Sequence, residues 1–315
     1  MTSTMMTSSP AGRPLGAGAI ALVVMLCLSW GFNQIAVKVA MPDVPPLIQA
    51  TIRSFGALLV VLLAARIRGV KMFERDGTLK AGLICGVLFG IEFVLIYRGL
   101  LFTSASRAVL FLYVAPFVVA LGSWLLGNER LSRVQWLGLG LSFVGLSLAF
   151  GLPQPSVDTK TLIGDAMLML GGVIWAVTTL MLKSTRLLHA PAEKSLSYQL
   201  AVSVLILGAA SLMLGETVTG WPRTISLISL AYQSFWVVGI TFLIWVAMVK
   251  SYSANRLSAF TFLTPLFGVI GGYVIMNDPI TPAFIVAAVL VIAGLILVNR
   301  PPAKPNEALR GVTKT

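Results

Sequence analysis

The sequence predicts an all-α membrane protein: ten transmembrane helices, built as two inverted five-helix repeats around a central cavity. Three observations predict it. Of 315 residues, 57% are hydrophobic and 11% charged, where a soluble domain carries about 25% charged residues. The apolar residues fall into ten runs of membrane-crossing length. The chain also repeats itself at nearly half its length.

A spanning helix needs roughly 20 mostly apolar residues to cross the hydrocarbon. The runs are 17–37, 46–66, 79–99, 103–125, 133–150, 162–182, 195–214, 227–248, 255–276 and 282–298. Polar or Pro/Gly-bearing connections such as RIRGVKMFERDGT and GLPQPSVDTK separate them. The first run has no small-x-small cleavage site after its apolar core and continues into SWGFNQIAVKV. It is therefore expected to stay as a span rather than be removed as a signal peptide. Residues 1–16 and 299–315 read as cytoplasmic tails and 151–161 as an external connection. The two repeats cover 17–150 and 162–298.

Charge sets the orientation. With the first residues inside, the inward connections hold 17 basic residues: Arg13, Arg66, Arg68, Lys71, Arg75, Lys80, Arg130, Arg133, Lys183, Arg186, Lys194, Lys250, Arg256, Arg300, Lys304, Arg310 and Lys314. The outward side holds 5, namely Lys38, Arg98, Arg107, Lys160 and Arg223. The positive-inside rule then places both termini in the cytoplasm of a plasma (inner) membrane. It also accounts for the net charge of +12. The basic residues are spread over six connections without interleaved aromatics, so a nucleic-acid partner is excluded.

The repeat is ungapped over its clearest stretch. TSASRAVLFLYVAPF, from Thr103, aligns with YSANRLSAFTFLTPLF, from Tyr252. Ser104, Ala105, Arg107, Phe111 and Pro116 fall on Ser253, Ala254, Arg256, Phe260 and Pro265, a shift of 265 − 116 = 149. The same shift carries Gly122 onto Gly271, Trp124 onto Tyr273, Asn128 onto Asn277, Glu129 onto Asp278 and Gly145 onto Gly294. In the first and sixth spans Trp30 pairs with Trp175 and Lys38 with Lys183, a shift of 145. Five spans per half is an odd number, so the second half must enter the membrane upside down. Inverted repeats of this kind recur in secondary transporters, with the solute site at the repeat interface.

SWGFN in the first span, SASRAVLFLYVAP in the fourth and SANRLSAFTFLTP in the ninth resemble the drug/metabolite transporter superfamily, EamA type. Within it the chain looks most like the YddG-type aromatic amino-acid exporters. The resemblance covers the whole chain. It implies a basket of helices whose first, third, fourth, sixth, eighth and ninth spans line a cavity for amino acids or other small metabolites.

A charge inside a span costs at least ~2.5–3.5 kcal/mol on insertion scales, so it marks function by default. Arg53 and Glu92 are the clear cases. Counted from the outer ends at 1.5 Å per residue, Arg53, Glu92 and Trp30 share a layer about 10 Å deep. A zwitterionic amino acid could place its ammonium on Glu92, its carboxylate on Arg53 and its side chain against Trp30, with Asn33 adding a hydrogen bond. The alternative is that Arg53 and Glu92 neutralise each other as a structural pair. Glu92 is also the candidate for proton coupling, binding a proton in one conformation and releasing it in another. Trp175 and Thr178 are the second-half counterparts of Trp30 and Asn33, and Tyr113 is placed to close the cavity with its ring. These seven are the substrate-binding candidates.

Pro116 and Pro265 sit near mid-span. A helical proline frees the carbonyl four residues back, here Leu112 and Thr261. The pair reads either as symmetric hinges or as static kinks. Gly82, Gly86 and Gly90 form a small-xxx-small face for a neighbouring helix.

Missing motifs narrow the function further. No glycine-rich phosphate loop precedes LKST at Leu182, and the lone His189 offers no metal cluster. Cys27 and Cys85 read as small hydrophobes. No cofactor, metal or catalytic group is expected, and the protein is not expected to be an enzyme. The sequence therefore points to a secondary transporter that exports aromatic or neutral amino acids, or related metabolites, by alternating access. Exporters of nucleosides, organic cations or drugs would share the architecture. A channel would need a symmetric polar lining, and an integral membrane enzyme clustered Asp or His at one face. No motif specifies an oligomeric state.

Overall fold

The computed structural model describes residues 15–103, 105–127, 129–150, 158–276 and 282–300. Most of the expected tails and of the external connection, together with Ser104, Asn128, Asn277 and Asp278 of the repeat, lie outside the described residues.

Ten helical spans follow one another. The first three are Ala17–Ala40, Pro46–Ile67 and Leu79–Gly99. The fourth is interrupted, as Ala105–Leu112 and Ala115–Leu125. Arg133–Phe150, Thr159–Ser184 and Ala192–Met213 are the fifth to seventh. The eighth runs from Thr224 to Ser251, with a π-helical stretch over Tyr232–Thr241. The ninth is again interrupted, as Ala254–Phe260 and Leu263–Met276, and Pro282–Asn299 is the tenth. Nine of these spans, all but the fifth, are long and apolar enough among the described residues to cross a bilayer on length and composition.

The all-helical form is what lipid demands. Hydrocarbon offers no partner to backbone N–H and C=O groups, and a helix satisfies them within one segment. The ends are set by local chemistry. Pro46 opens the second span and the Asp158 carboxylate caps the sixth by accepting from Thr161 N at 3.0 Å, in keeping with proline and Asp at helix starts. Gly215, at φ 68°, closes the seventh span, and the next residue's N–H returns to Ser211 O at 3.0 Å, the left-handed termination that glycine permits.

The side-chain distribution is inverted relative to a soluble protein. Leu205 is 72% exposed and Leu63 59%, whereas Gln49, Gln199 and Gln233 are buried inside the bundle. An apolar exterior around a polar interior is the arrangement a bilayer selects.

The packing obeys a pseudo-twofold exchange of halves. Spans 1 and 9 pack together, as do their equivalents 6 and 4. Spans 2 and 8 pack as 7 and 3 do, and spans 1 and 8 as 6 and 3 do. Spans 2 and 7, 4 and 9, and 5 and 10 pair across the axis itself. The symmetry reaches single atoms. A Cβ on Gly145 would meet Ala287 O at 2.9 Å, and the counterpart Cβ on Gly294 would meet Gly138 O at 2.4 Å; the shift of 149 relates both members of the two pairs. The connection after the fourth span lies against the start of the ninth, through Glu129 and Ala254 N at 3.0 Å. The fourth and ninth spans therefore end at opposite ends of the bundle, as inverted repeats require.

The Gly82, Gly86 and Gly90 stripe packs as its spacing predicts. Cβ atoms there would lie 2.2 Å from the Tyr198 ring, 2.7 Å from Tyr198 O and 2.9 Å from Ile206 Cβ. A ridge of the seventh span fills a groove only glycine leaves open.

Candidate functional site

A cavity of about 200 Å³ lies between the halves. Its mouth is at the end carrying Met41 and Leu100, both partly exposed, and its floor is formed by Leu182, Leu196 and Val246, which are buried. Pockets for drug-sized ligands run to ~300–1,000 Å³, so this one suits a smaller solute. The six spans implied by the resemblance all contribute to the wall. The second and seventh add Arg53 and Gln199.

All seven substrate-binding candidates from the sequence line this one cavity. Trp30 is fixed: its Nε1–H donates to Thr241 Oγ1 at 2.8 Å, and its ring meets Phe242 and Trp245 edge-on at 5.7 and 5.3 Å. With the indole N–H occupied, the ring presents an apolar wall. Tyr113 stands between Trp175 and Phe262, at 6.4 and 5.8 Å between ring centroids. The Thr178 hydroxyl donates to Ile174 O within its own helix at 2.8 Å. Asn33 Oδ1 is buried with no hydrogen-bond partner among the described residues.

Arg53 and Glu92 come together in the cavity, yet among the described residues no ion pair joins them. Arg53 instead lays its guanidinium over the Phe93 ring, 4.2 Å from the centroid, with Tyr97 at 5.6 Å. Such cation–π contact is worth ~0.5–2 kcal/mol, less than desolvating the charge costs. Arg53 Nε and Glu92 Oε2 are buried without hydrogen-bond partners among the described residues. The two side chains therefore share the cavity without a direct ion pair among the described residues, although the Arg53 charge still acts on Glu92 through space.

The prolines mark interruptions rather than kinks. Each helix stops before its proline, at Tyr113–Val114 and at Thr261–Phe262. Pro116 then sits in the first turn of the next segment, where its missing N–H costs nothing. Of the two carbonyls expected to be freed, Thr261 O accepts from Thr264 N at 2.9 Å. Leu112 O faces Gly172, whose Cβ would lie 2.4 Å from it.

Several wall residues escaped the sequence reading. Phe89, Phe93 and Tyr97 share the face of the third span that bears Glu92. A four-residue spacing of aromatics beginning beside an intramembrane acid was the available signal. Phe242, Trp245 and Thr264 gave no signal beyond being apolar or ordinary.

A pseudo-twofold helical basket with a solute-sized cavity at the repeat interface is an arrangement that recurs in secondary transporters. The profile of the EamA-like transporter family matches the chain twice, over residues 17–151 and 162–300, and the chain belongs to that family. The uncharacterized transporter YoaV of Bacillus subtilis is 22% identical over 277 residues, covering 87% of this chain and 94% of its own. A Salmonella typhimurium protein named a probable amino-acid metabolite efflux pump is 27% identical over 292 residues, 89% of this chain and 93% of its own. A chain of known crystal structure superposes with a TM-score of 0.77 at 21% identity, over 89% of this chain and 97% of that one. That likeness shows the shared fold.

Proposed function

We propose that the protein is a secondary transporter that exports amino acids with aromatic or large neutral side chains, as YddG-type exporters do, by alternating access across the plasma membrane. Both termini are cytoplasmic in this reading, and the mouth beside Met41 faces outward. One observation carries the proposal: an Arg and a Glu are buried in the same solute-sized cavity, and among the described residues each has an atom without a hydrogen-bond partner and no ion pair joins the two. Leaving one charge of a pair uncompensated in a protein interior costs about 3–5 kcal/mol. A zwitterion supplies both missing charges at once. Its side chain then meets the walls made by Trp30, Phe89, Phe242 and Trp245. An organic cation would satisfy Glu92 but place a like charge beside Arg53, which disfavours that alternative. Glu92, the acid at the site, is the group through which proton coupling would act.

Charge-blocked analogues test the reading. In proteoliposomes containing only this protein, phenylalanine should compete with a labelled neutral amino acid. N-acetylphenylalanine and phenylalanine methyl ester, each lacking one charge, should compete at least about tenfold less well, a difference of ~1.4 kcal/mol. Equal competition by all three would remove the zwitterion reading. Proton coupling is tested separately by Glu92→Gln, which should abolish any dependence on a pH gradient.

A further inference from the structure

Four atoms of the cavity wall are buried without a hydrogen-bond partner among the described residues: Asn33 Oδ1, Arg53 Nε, Glu92 Oε2 and Thr264 Oγ1. The proposed zwitterion engages the first three through its ammonium and carboxylate. The fourth has no role in that reading.

The break in span 9 explains why this hydroxyl is open. A threonine inside a helix ordinarily donates to a carbonyl three or four residues back. The wall threonines of span 6 do so: Thr178 donates to Ile174 O at 2.8 Å and Thr179 to Trp175 O at 3.0 Å. Thr264 instead stands in the first turn after the interruption, in Leu263–Met276. Four residues back, Phe260 O accepts from Cys27 Sγ at 3.3 Å; three residues back, Thr261 O accepts from the Thr264 N–H at 2.9 Å. The Tyr113 hydroxyl and the Cys27 thiol lie beside Thr264, yet neither completes a hydrogen bond to its oxygen. Thr264 and Tyr113 are both buried and both line the cavity.

Around the cavity, packed neighbours follow in the order of spans 1, 9, 4, 6, 3, 2, 8 and back to 1. Spans 4 and 9, with Tyr113 and Thr264, therefore face spans 2 and 3, with Arg53 and Glu92. A zwitterion held on Arg53 and Glu92 extends its side chain across the cavity toward the two hydroxyls. One of these can donate while the other accepts. A phenol hydroxyl does both in return, whereas an indole N–H only donates and a phenyl ring does neither.

We infer that Thr264 and Tyr113 receive the tip of the substrate side chain, and that the protein selects amino acids bearing a phenol over those bearing a plain phenyl ring. The inference rests on the zwitterion reading of the proposed function and adds the group that the side chain carries. A phenyl ring packed against Thr264 leaves a buried hydroxyl without a partner. That is the circumstance in which a site built for a hydroxyl most strongly rejects the analogue lacking it.

Equilibrium binding of labelled tyrosine and labelled phenylalanine to the purified full-length protein tests it. Tyrosine should bind at least about tenfold more tightly. Thr264→Val keeps the branched shape and removes the hydroxyl, and should bring the tyrosine-to-phenylalanine ratio to within about twofold of one. Thr264→Ser should keep the preference. A merely structural threonine would weaken both ligands together and leave the ratio where it was. Should Thr264→Val fail to fold, Tyr113→Phe removes the other hydroxyl with the ring intact and should lower the ratio at least about threefold. Equal binding of the two amino acids by the parent protein, or an unchanged ratio in a folded variant lacking either hydroxyl, would overturn the inference and leave the zwitterion reading standing. Binding of neither amino acid would overturn both.

Discussion

The halves of this protein share a scaffold but not a site. Arg53 and Glu92 belong to the first half; the same positions of the second half carry Val202 and Thr241. Elsewhere the correspondence is close, down to the paired glycine contacts of spans 5 and 10. In the proposed function the symmetry would serve the motion, since two similar halves can exchange conformations at little cost. The asymmetry would serve recognition, because an amino acid has one ammonium and one carboxylate and no twofold axis. Duplicating Arg53 and Glu92 would bury surplus charge with nothing to meet it.

The largest expected effect breaks this comparison directly. Arg53→Met and Glu92→Gln should each weaken substrate binding by about 2–5 kcal/mol, the range for removing one partner of a buried charged contact. Val202→Met, at the position equivalent to Arg53, should leave affinity near that of the parent. Equilibrium binding in detergent measures all three without transport. Comparable losses at Arg53 and Val202 would mean that the charges serve the packing and not the solute.

How much of this was legible beforehand depends on which force sets each feature. All ten spans and their inversion could be read because hydrocarbon imposes length and apolarity on every span. Arg53, Glu92 and Asn33 could be placed in the wall because an intramembrane charge or amide is too expensive to face lipid, and Trp175 and Thr178 followed from the repeat. Azimuth was the missing coordinate. Depth alone could not say whether Arg53 would meet Glu92 or, as observed, the Phe93 ring. The π-helical stretch at Tyr232–Thr241 was not legible either, because no residue pattern encodes an i→i+5 bond. Tertiary contacts accompany it: the Tyr232 hydroxyl donates to Ser29 O and Trp236 Nε1 donates to Ser29 Oγ, both at 3.0 Å. Glu129 was visible only as one match in the repeat, since a connection residue reveals its partners only once the helices are packed.

A middle-sized effect sharpens the symmetric side of the comparison. If the interruptions before Pro116 and Pro265 are hinges, Pro116→Ala and Pro265→Ala should slow transport to similar extents, up to roughly tenfold, or 1.36 kcal/mol on the barrier. Alanine restores an N–H donor and relieves the clash that stops each helix, so both variants should remain folded. Full-rate transport in both would make the breaks static features. A loss in only one would assign the motion to one half.

The smallest effect is local to the connections. Asp43 lies in the connection between spans 1 and 2, and hydrogen bonds from Ser226 and Arg223 hold its carboxyl down at about 2, from an ordinary 3.8. A carboxyl that is more acidic when folded contributes stability above its unfolded value and loses it as pH falls through the folded one. Its contacts with Arg223 and Ser226 should therefore be intact above pH ~4 and released progressively between pH ~4 and ~2. At the other end Asp76 accepts from Thr78 N at 3.1 Å and from Lys194 Nζ at 2.8 Å, and these contacts hold its carboxyl well below the ordinary carboxylate range, so that connection should hold on to lower pH. Amide exchange over 223–231 should accelerate beyond its intrinsic pH dependence as pH falls from ~4 to ~2, and exchange over 77–82 only at still lower pH. Asp43→Asn should show the faster exchange at neutral pH already, and a parental rate in that variant would mean that Arg223 and Ser226 hold the end of span 8 without the charge.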